Sequence, residues 1–385
     1  MGQYKNCQVA VIGGGAAGMM AAIFARRHGA EVVILERNPR IGKKILVTGN
    51  GRCNYTNIHA GDAKYYHGQN PKFVYSALSQ FSVEQTINFF ERLGIAHKVE
   101  DMGKVFPMSD QASSVLDVMR YELERIGVEV ICDAFVNNIE QLGGKFKIST
   151  EGGLTATADR VIIAMGGKAK PSTGSDGNGY DLARKLGHTI IDIFPGLVQL
   201  KLEGNFFHQI KGVKIVGSVE LISGNKTLGK ERGDILFADY GVSGPPVFQL
   251  SRKAAERLHK GKEALLKVSL IDTMDVDELD QMLIRRFKES PQKTVEFSLV
   301  GLINKRLINV VLKQAGIRDL RIPVANISAQ ERRRIASILT DWKFIVTGTK
   351  SWPSAQVTAG GVDTREINQQ TMESKKIKGL FFAGE

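Results

Sequence analysis

The sequence is short of several things that would each name a protein class. It has three cysteines in 385 residues, at positions 7, 53 and 132. An odd number so widely spaced suits neither a disulfide framework nor a zinc site, and suggests a reducing, cytoplasmic setting. No CxxC or CxxxxC pair occurs, so disulfide-reductase chemistry has no redox pair to use. His67, His97 and His208 show no ligand spacing, and no metal is expected. Internal repeats and low-complexity tracts are missing too. The most apolar stretch, VAVIGGGAAGMMAAIFA at 9–25, is full of glycine and follows no basic n-region, so neither a signal peptide nor a membrane span is expected.

What is present is a chain long enough for two domains or more. Its net charge is +12, and residues 194–343, with 25 Lys and Arg against 17 Asp and Glu, hold +8 of it. The excess is either a solvated basic surface or a face for a polyanionic partner, and its concentration favours the second.

Residues 7–36 read CQVAVIGGGAAGMMAAIFARRHGAEVVILE. An apolar strand enters Gly13-x-Gly15-x-x-Gly18, a helix runs to about His28, and a second strand ends at Glu36 with Arg37 beside it. Gly13 permits the tight turn, Gly15 lets backbone approach a pyrophosphate, and Gly18 lets helix and strand pack closely. Ala16 and Ala17 open the helix, whose free N–H groups and partial positive charge suit phosphate. Glu36 is placed to accept hydrogen bonds from a ribose diol.

The spacing up to this point suits FAD and NAD equally; the next segments favour FAD. A third strand, VEVIC at 128–132, is followed by AFVNNIEQ, GKFKIST and GLTATADRVIIAMGG, separated by Gly143-Gly144 and Gly152-Gly153. That is a β-meander decorating a parallel sheet, as in FAD-binding versions of the α/β Rossmann-like fold. VIIAMGG resembles the strand and A-T-G-like turn of such folds, which implies Ala164 and Gly166 at the site. KGLFFAGE resembles their last FAD-contacting strand, which implies Gly384 and Glu385, the latter as the acid on the ribityl chain. The two strands are more than 200 residues apart, so a domain must be inserted between them. The reading is a cofactor domain of 1–193 and 344–385, and an insert of 194–343 that is β-rich over 197–270 and helical over 275–341. A helix is expected to follow FFAGE and face the flavin, so further residues are expected after Glu385.

Residues 48–57, TGNGRCNYTN, form a polar loop expected to cross the pyrophosphate and isoalloxazine. Thr48, Gly49, Gly51 and Asn54 are its candidate cofactor contacts. Lys43 and Lys44 either neutralise phosphate or are solvated surface. Arg52 offers a fork to phosphate, flavin carbonyl or substrate. Cys53 is either a proton donor, its thiolate favoured by Arg52, or a small residue packing the loop. In GDILFADYGVSGPP, Tyr240 is either a second proton donor or part of a rigid turn.

The runs IGKKILVTGNGRCNYTN, GKVFPMSDQASSV, MGGKAKPSTGSDGNGYDLARKLGH, GDILFADYGVSGPPVFQLS and VTAGGVDTREINQQTMESKKIKGLFFAGE resemble, in order, the BaiN/RdsA (YhiN-like) family of FAD-dependent oxidoreductases. The likeness covers essentially the whole chain, departing at Met165, where threonine is usual. It implies FAD on a scaffold with an inserted domain, and hydride transfer at flavin N5. Family members reduce C=C bonds conjugated to a carbonyl, oxidise amines, or convert uridine to dihydrouridine in large-subunit ribosomal RNA. One fingerprint is present and FAD takes it, so NAD(P)H is expected as a transient electron donor. The resulting expectation is an NAD(P)H-driven reductase of a small molecule or RNA, with an amine or metabolite oxidase and a non-enzymatic flavin carrier as competing readings.

Overall fold

The computed structural model describes residues 4–384, which form two compact units, 4–193 with 358–384 and Phe194–Val357. Glu385 lies outside the described residues.

In the first unit, strand β1 (Tyr4–Ile12) lies parallel between β2 (Val32–Leu35) and a later strand, Thr155–Ile163. β2 pairs in parallel with β3 (Glu129–Ile131). Period-two alternation explains why these runs are apolar throughout. Val11, Val32 and Ile34 face helices α1 (Ala16–Arg27) and α2 (Ala112–Arg125), meeting Met19, Ile23, Leu116 and Met119. Ala10, Ile12, Val33 and Leu35 point the other way, into a cluster with Phe146 and Ile148. The meander is β4 (Val136–Leu142), β5 (Lys145–Thr150) and β6, which is the Thr155–Ile163 strand already met. Gly143 and Gly144, at φ 58° and 81°, make its first turn, where two successive positive angles match the twist of a hairpin. β6 shares one edge between two neighbours: residues 155–158 pair with β5, and Val161–Ile163 pair in parallel with the closing strand Leu380–Phe382.

The segment before that closing strand is anchored by Glu366, which accepts from Thr189 N at 2.9 Å, Thr189 Oγ1 at 2.8 Å and Lys376 Nζ at 2.7 Å. Burial alone would raise its pKa, but these donors outweigh it and pull the carboxyl down to about 2. A depressed carboxylate stabilises above its unfolded pKa of about 4.3, and that contribution is lost as pH falls toward 2. Glu366→Gln is expected to lower Tm at pH 7, with the gap from wild type narrowing as melts are repeated from pH 5 down to pH 3. A gap that stays constant over that range would remove the carboxylate's role.

The second unit is a closed barrel of Leu200–Leu202, Gly241–Ser243, Lys226–Ala238, Lys214–Ser223, Leu265–Ser269 and Trp342–Thr349, in that order around the wall. Its helices Val276–Glu289 and Ala329–Thr340 each begin with a capping box, Asp275 with Glu278 and Ser328 with Glu331. Two expectations change. Residues 344–357, read as part of the cofactor domain, group with the second unit, because Trp342–Thr349 pairs with both Leu265–Ser269 and Leu200–Leu202 to close the barrel. The paired prolines of SGPP, read as a turn, instead occupy the first positions of a 15-residue helix, Pro245–His259. Proline is favoured there because its missing N–H would have no helical partner in any case.

Several arginines read as a basic face also have structural partners. Arg286 donates to Ser298 O and Val300 O, at 2.5 and 2.6 Å. Arg332 binds the buried Asp280 at 2.8 Å, Arg333 binds Asp277 at 2.6 Å, and Arg306 donates to Gln209 O at 3.3 Å. The net charge already counts those acids, so +8 over 194–343 stands, but it is carried elsewhere.

Candidate functional site

β1 delivers the chain to Gly13, at φ 104°, where an added Cβ would lie 2.6 Å from Ala164 O. Gly18 sits against the same turn, and its Cβ would come within 1.9 Å of Gly13 O. Gly15 is different: it is the N-cap of α1, and a Cβ there would meet nothing within 4 Å. No side chain caps this helix and no acid stands in its first turn. Its leading N–H groups, from Ala16 and Ala17 onward, therefore face open space with the positive end of the dipole. Two glycines are needed for packing and one for room, which fits a pyrophosphate.

Glu36 directly follows β2 and is buried. Its Oε2 accepts from Gly14 N at 2.7 Å, and Oε1 accepts from Asn38 N at 2.8 Å and Asn38 Nδ2 at 2.7 Å. The carboxylate is locked in place yet keeps acceptor capacity for a diol. Asn38 also reaches Thr173 O at 3.3 Å, and Arg37 binds Asp176 at 2.6 Å while lying over the Phe135 ring at 4.8 Å. Sequence reading missed Asn38, Thr173 and Asp176, because the 173–181 loop carries no fingerprint and meets Arg37 only through the fold. The signal available was the polar Arg-Asn pair directly after the acid-tipped strand.

The far wall comes from the end of β6. Ala164 N donates to Ile12 O at 2.8 Å, and Gly166, at φ 71°, has room for no Cβ beside Ser175 Oγ. Ser175 Oγ donates to Gly167 O at 2.7 Å. Thr358 Oγ1 accepts from Lys168 N and Ala169 N, at 2.7 and 3.0 Å. The hydroxyl missing at Met165 is thus not needed to pin this turn. Gly384, at φ 121°, follows the closing strand to Ala17, whose Cβ would be 3.7 Å from a Cβ at 384. Gly13–Gly18, Glu36, Ala164, Gly166 and Gly384 therefore meet around one end of α1.

The 48–57 loop is tightly wound. Gly49, Asn50 and Gly51 are successive left-handed residues, at φ 54°, 57° and 84°, and Cys53 follows at 62°. Glycine and asparagine bear that conformation best. A Cβ at Gly49 would press on Asn54 N at 2.7 Å, and Thr48 Oγ1 donates to Ile45 O at 2.7 Å. Lys44 donates to Ala169 O at 2.8 Å, so it ties the loop's approach to the far wall, whereas Lys43 is exposed.

The two catalytic candidates here look different in three dimensions. Arg52 does not hold out a free fork. It grips Glu100 through both nitrogens at 2.8 and 2.9 Å and reaches Asp110 at 3.2 Å, with its guanidinium 3.9 Å from the centre of the Phe106 ring. Lys98 joins the same acids. Glu100, at the end of the strand His97–Glu100, and Asp110, in the turn after its partner Lys104–Pro107, claim the charge that was expected to favour a Cys53 thiolate. Cys53 is 6% exposed, among Ile41, Ile45, Phe89 and Phe90, and burial pushes its thiol pKa up. Tyr240 belongs to the second unit, in the turn between Lys226–Ala238 and Gly241–Ser243; Lys350 Nζ lies 4.7 Å over its ring, and burial raises its pKa. Among the described residues, no group of three or more His, Cys, Asp or Glu is placed to hold a metal, and no helix is long and apolar enough to cross a membrane.

Comparison with known sequences is decisive for kinship. The HI0933-like protein Rossmann domain matches residues 7–385. The chain belongs to the HI0933-like family. This is the BaiN/RdsA family that the motifs resemble, and its members are FAD-dependent oxidoreductases. A 3-dehydro-bile acid delta(4,6)-reductase of Clostridium scindens is 38% identical over 98% of this chain and 92% of its own. A ribosomal RNA dihydrouridine synthase of Escherichia coli is 30% identical over 97% of this chain and 90% of its own. Its counterpart in Haemophilus influenzae is 28% identical over the full chain and 92% of its own. The HI0933-like fold thus supplies the cradle that the geometry describes, and FAD fits it.

Proposed function

We propose that this flavoprotein is an NAD(P)H-driven reductase of carbon–carbon double bonds conjugated to a carbonyl, with uridine in ribosomal RNA as the sharpest form of its substrate. The observation that carries the reading is that both kinds of full-length relative have names describing hydrogenation of such a bond, in a 3-dehydro steroid and in uridine. The net +8 of residues 194–343 favours the polyanion. When bound, FAD supplies the hydride. The chain's part is to seat the pyrophosphate on α1, hold the ribose with Glu36, and brace the polar loop through Arg52 and Lys44. Cys53 packs that loop and holds its own proton.

Anaerobic reduction of the bound flavin by NADH or NADPH, then reoxidation by unmodified ribosomal RNA or by small enones, tests the reading. Failure of both nicotinamides, or fast peroxide formation coupled to an amine, would favour the oxidase instead. Cys53→Ala is expected to keep both half-reactions. Loss of acceptor reduction alone, by about a hundredfold or more, would restore the thiol as general acid.

A further inference from the structure

The cationic excess of the second unit has a centre. Between Arg285 and Arg321 there are nine Lys and Arg against three Asp and Glu, a net of +6 out of the +8 carried by residues 194–343. Within this stretch an aromatic side chain stands out in water: Phe297 is 59% exposed, whereas the other phenylalanines of its unit from Phe206 to Phe344 are buried, at Phe206, Phe207, Phe237, Phe287 and Phe344, or half-buried, at Phe248. The local backbone holds it there. Thr294 caps the short turn Val295–Ser298 by accepting from Phe297 N at 3.2 Å. The same segment runs antiparallel to residues 320–324 through Val295 N to Ile322 O at 2.9 Å, Glu296 N to Leu320 O at 3.2 Å and Val324 N to Lys293 O at 2.8 Å. The turn that carries Phe297 and Glu296 thus follows Lys293 and Thr294 and faces the loop that bears Arg318 and Arg321. Arg286, bound to Ser298 O and Val300 O, fixes the end of the Val276–Glu289 helix alongside and with it Lys288.

Lys288, Lys293, Arg318 and Arg321 are exposed, and none takes part in an ion pair among the described residues. That sets them apart from Arg332 and Arg333, which are tied to Asp280 and Asp277. Three acids share the stretch, Glu289, Glu296 and Asp319, the last accepting from the backbone N–H of Arg321 at 2.9 Å, so the cations keep their nine-to-three excess. An exposed flat apolar ring with unpaired cations on the adjoining segments matches one ligand chemistry well: an unstacked base with phosphates on either side.

We infer that the surface around Phe297 grips single-stranded RNA, the ring stacking on a base while Lys293, Arg318 and Arg321 hold the adjoining phosphates. The inference rests on the RNA form of the function above. It is tested on the FAD-loaded protein with a fluorescein-labelled, uridine-rich single-stranded RNA, read by anisotropy across a salt series. Phe297→Ala should weaken binding about tenfold with the salt slope unchanged, because it removes stacking and no charge. Lys293→Gln with Arg321→Gln should flatten the log–log slope by about 1.4, at roughly 0.7 per lost phosphate contact. Both variants should keep wild-type flavin content, melting temperature and flavin reduction by nicotinamide. If wild type binds and both variants bind as well as it does, the surface is wrong while the RNA reading stands. If wild type binds no RNA even at low salt, both fall together. Displacement of the RNA by polyglutamate of equal charge at equal concentration would mark an acidic-protein surface and overturn the inference.

Discussion

Gly18→Ala should yield a protein that folds poorly and retains no flavin, and Gly15→Ala one that folds well and still retains none. The two glycines look alike in the motif, and the structure separates them. A methyl at 18 would stand 1.9 Å from Gly13 O, a backbone atom that cannot swing aside, with Val11 Cγ1 at 3.3 Å next to it. α1 would have to lift from β1, costing about 1–3 kcal/mol or more and moving its N–H groups away from the phosphates. A methyl at 15 meets nothing within 4 Å, so the empty fold is undisturbed. That space is where the pyrophosphate must approach, and losing the close approach should cost at least about 3 kcal/mol of affinity, roughly a hundredfold. Flavin per protein after purification and Tm of the flavin-free forms read the two effects apart. Equal Tm losses in the two variants, or full flavin in Gly15→Ala, would refute the assignment.

Glu36→Ala carries the second large effect. Its carboxylate is the acceptor for Gly14 N, Asn38 N and Asn38 Nδ2. Removing it orphans buried donors, each at about 1–3 kcal/mol when water cannot replace the acceptor. The glycine loop and the Asn38 turn should loosen together. Glu36→Gln keeps one oxygen but turns an NH2 toward an N–H, so it should fold better than the alanine variant while still binding FAD weakly. Urea denaturation of the apoproteins and FAD titration of each measure this order. Wild-type affinity in Glu36→Ala would mean that the ribose is held elsewhere.

Legibility in the sequence followed contact range. The 7–36 unit and the meander with its glycine pairs could be read because each is built from neighbours along the chain. Barrel closure by Trp342–Thr349 could not, since its partner Leu200–Leu202 is about 140 residues earlier. Arg52 shows the same limit at a site. Its polar, glycine-rich surroundings mark it as functional, but the acids that claim it, Glu100 and Asp110, lie 48 and 58 residues away. Asp176, which fixes Arg37 from 139 residues away, left no local trace. Helix Pro245–His259 was missed for a different reason: a proline pair reads as a turn unless the residues after it are weighed as a first helical turn.

The shared edge of β6 sets an order of events during synthesis. Val161–Ile163 can pair with Leu380–Phe382 only after about 200 further residues have been made. At ordinary translation rates that is roughly 10–40 s. During that interval the whole intervening Phe194–Val357 stretch is synthesised, before its host is complete. The growing chain therefore carries an open strand edge beside its glycine cradle, and lasting capture of the cofactor waits on that late pairing rather than seeding it.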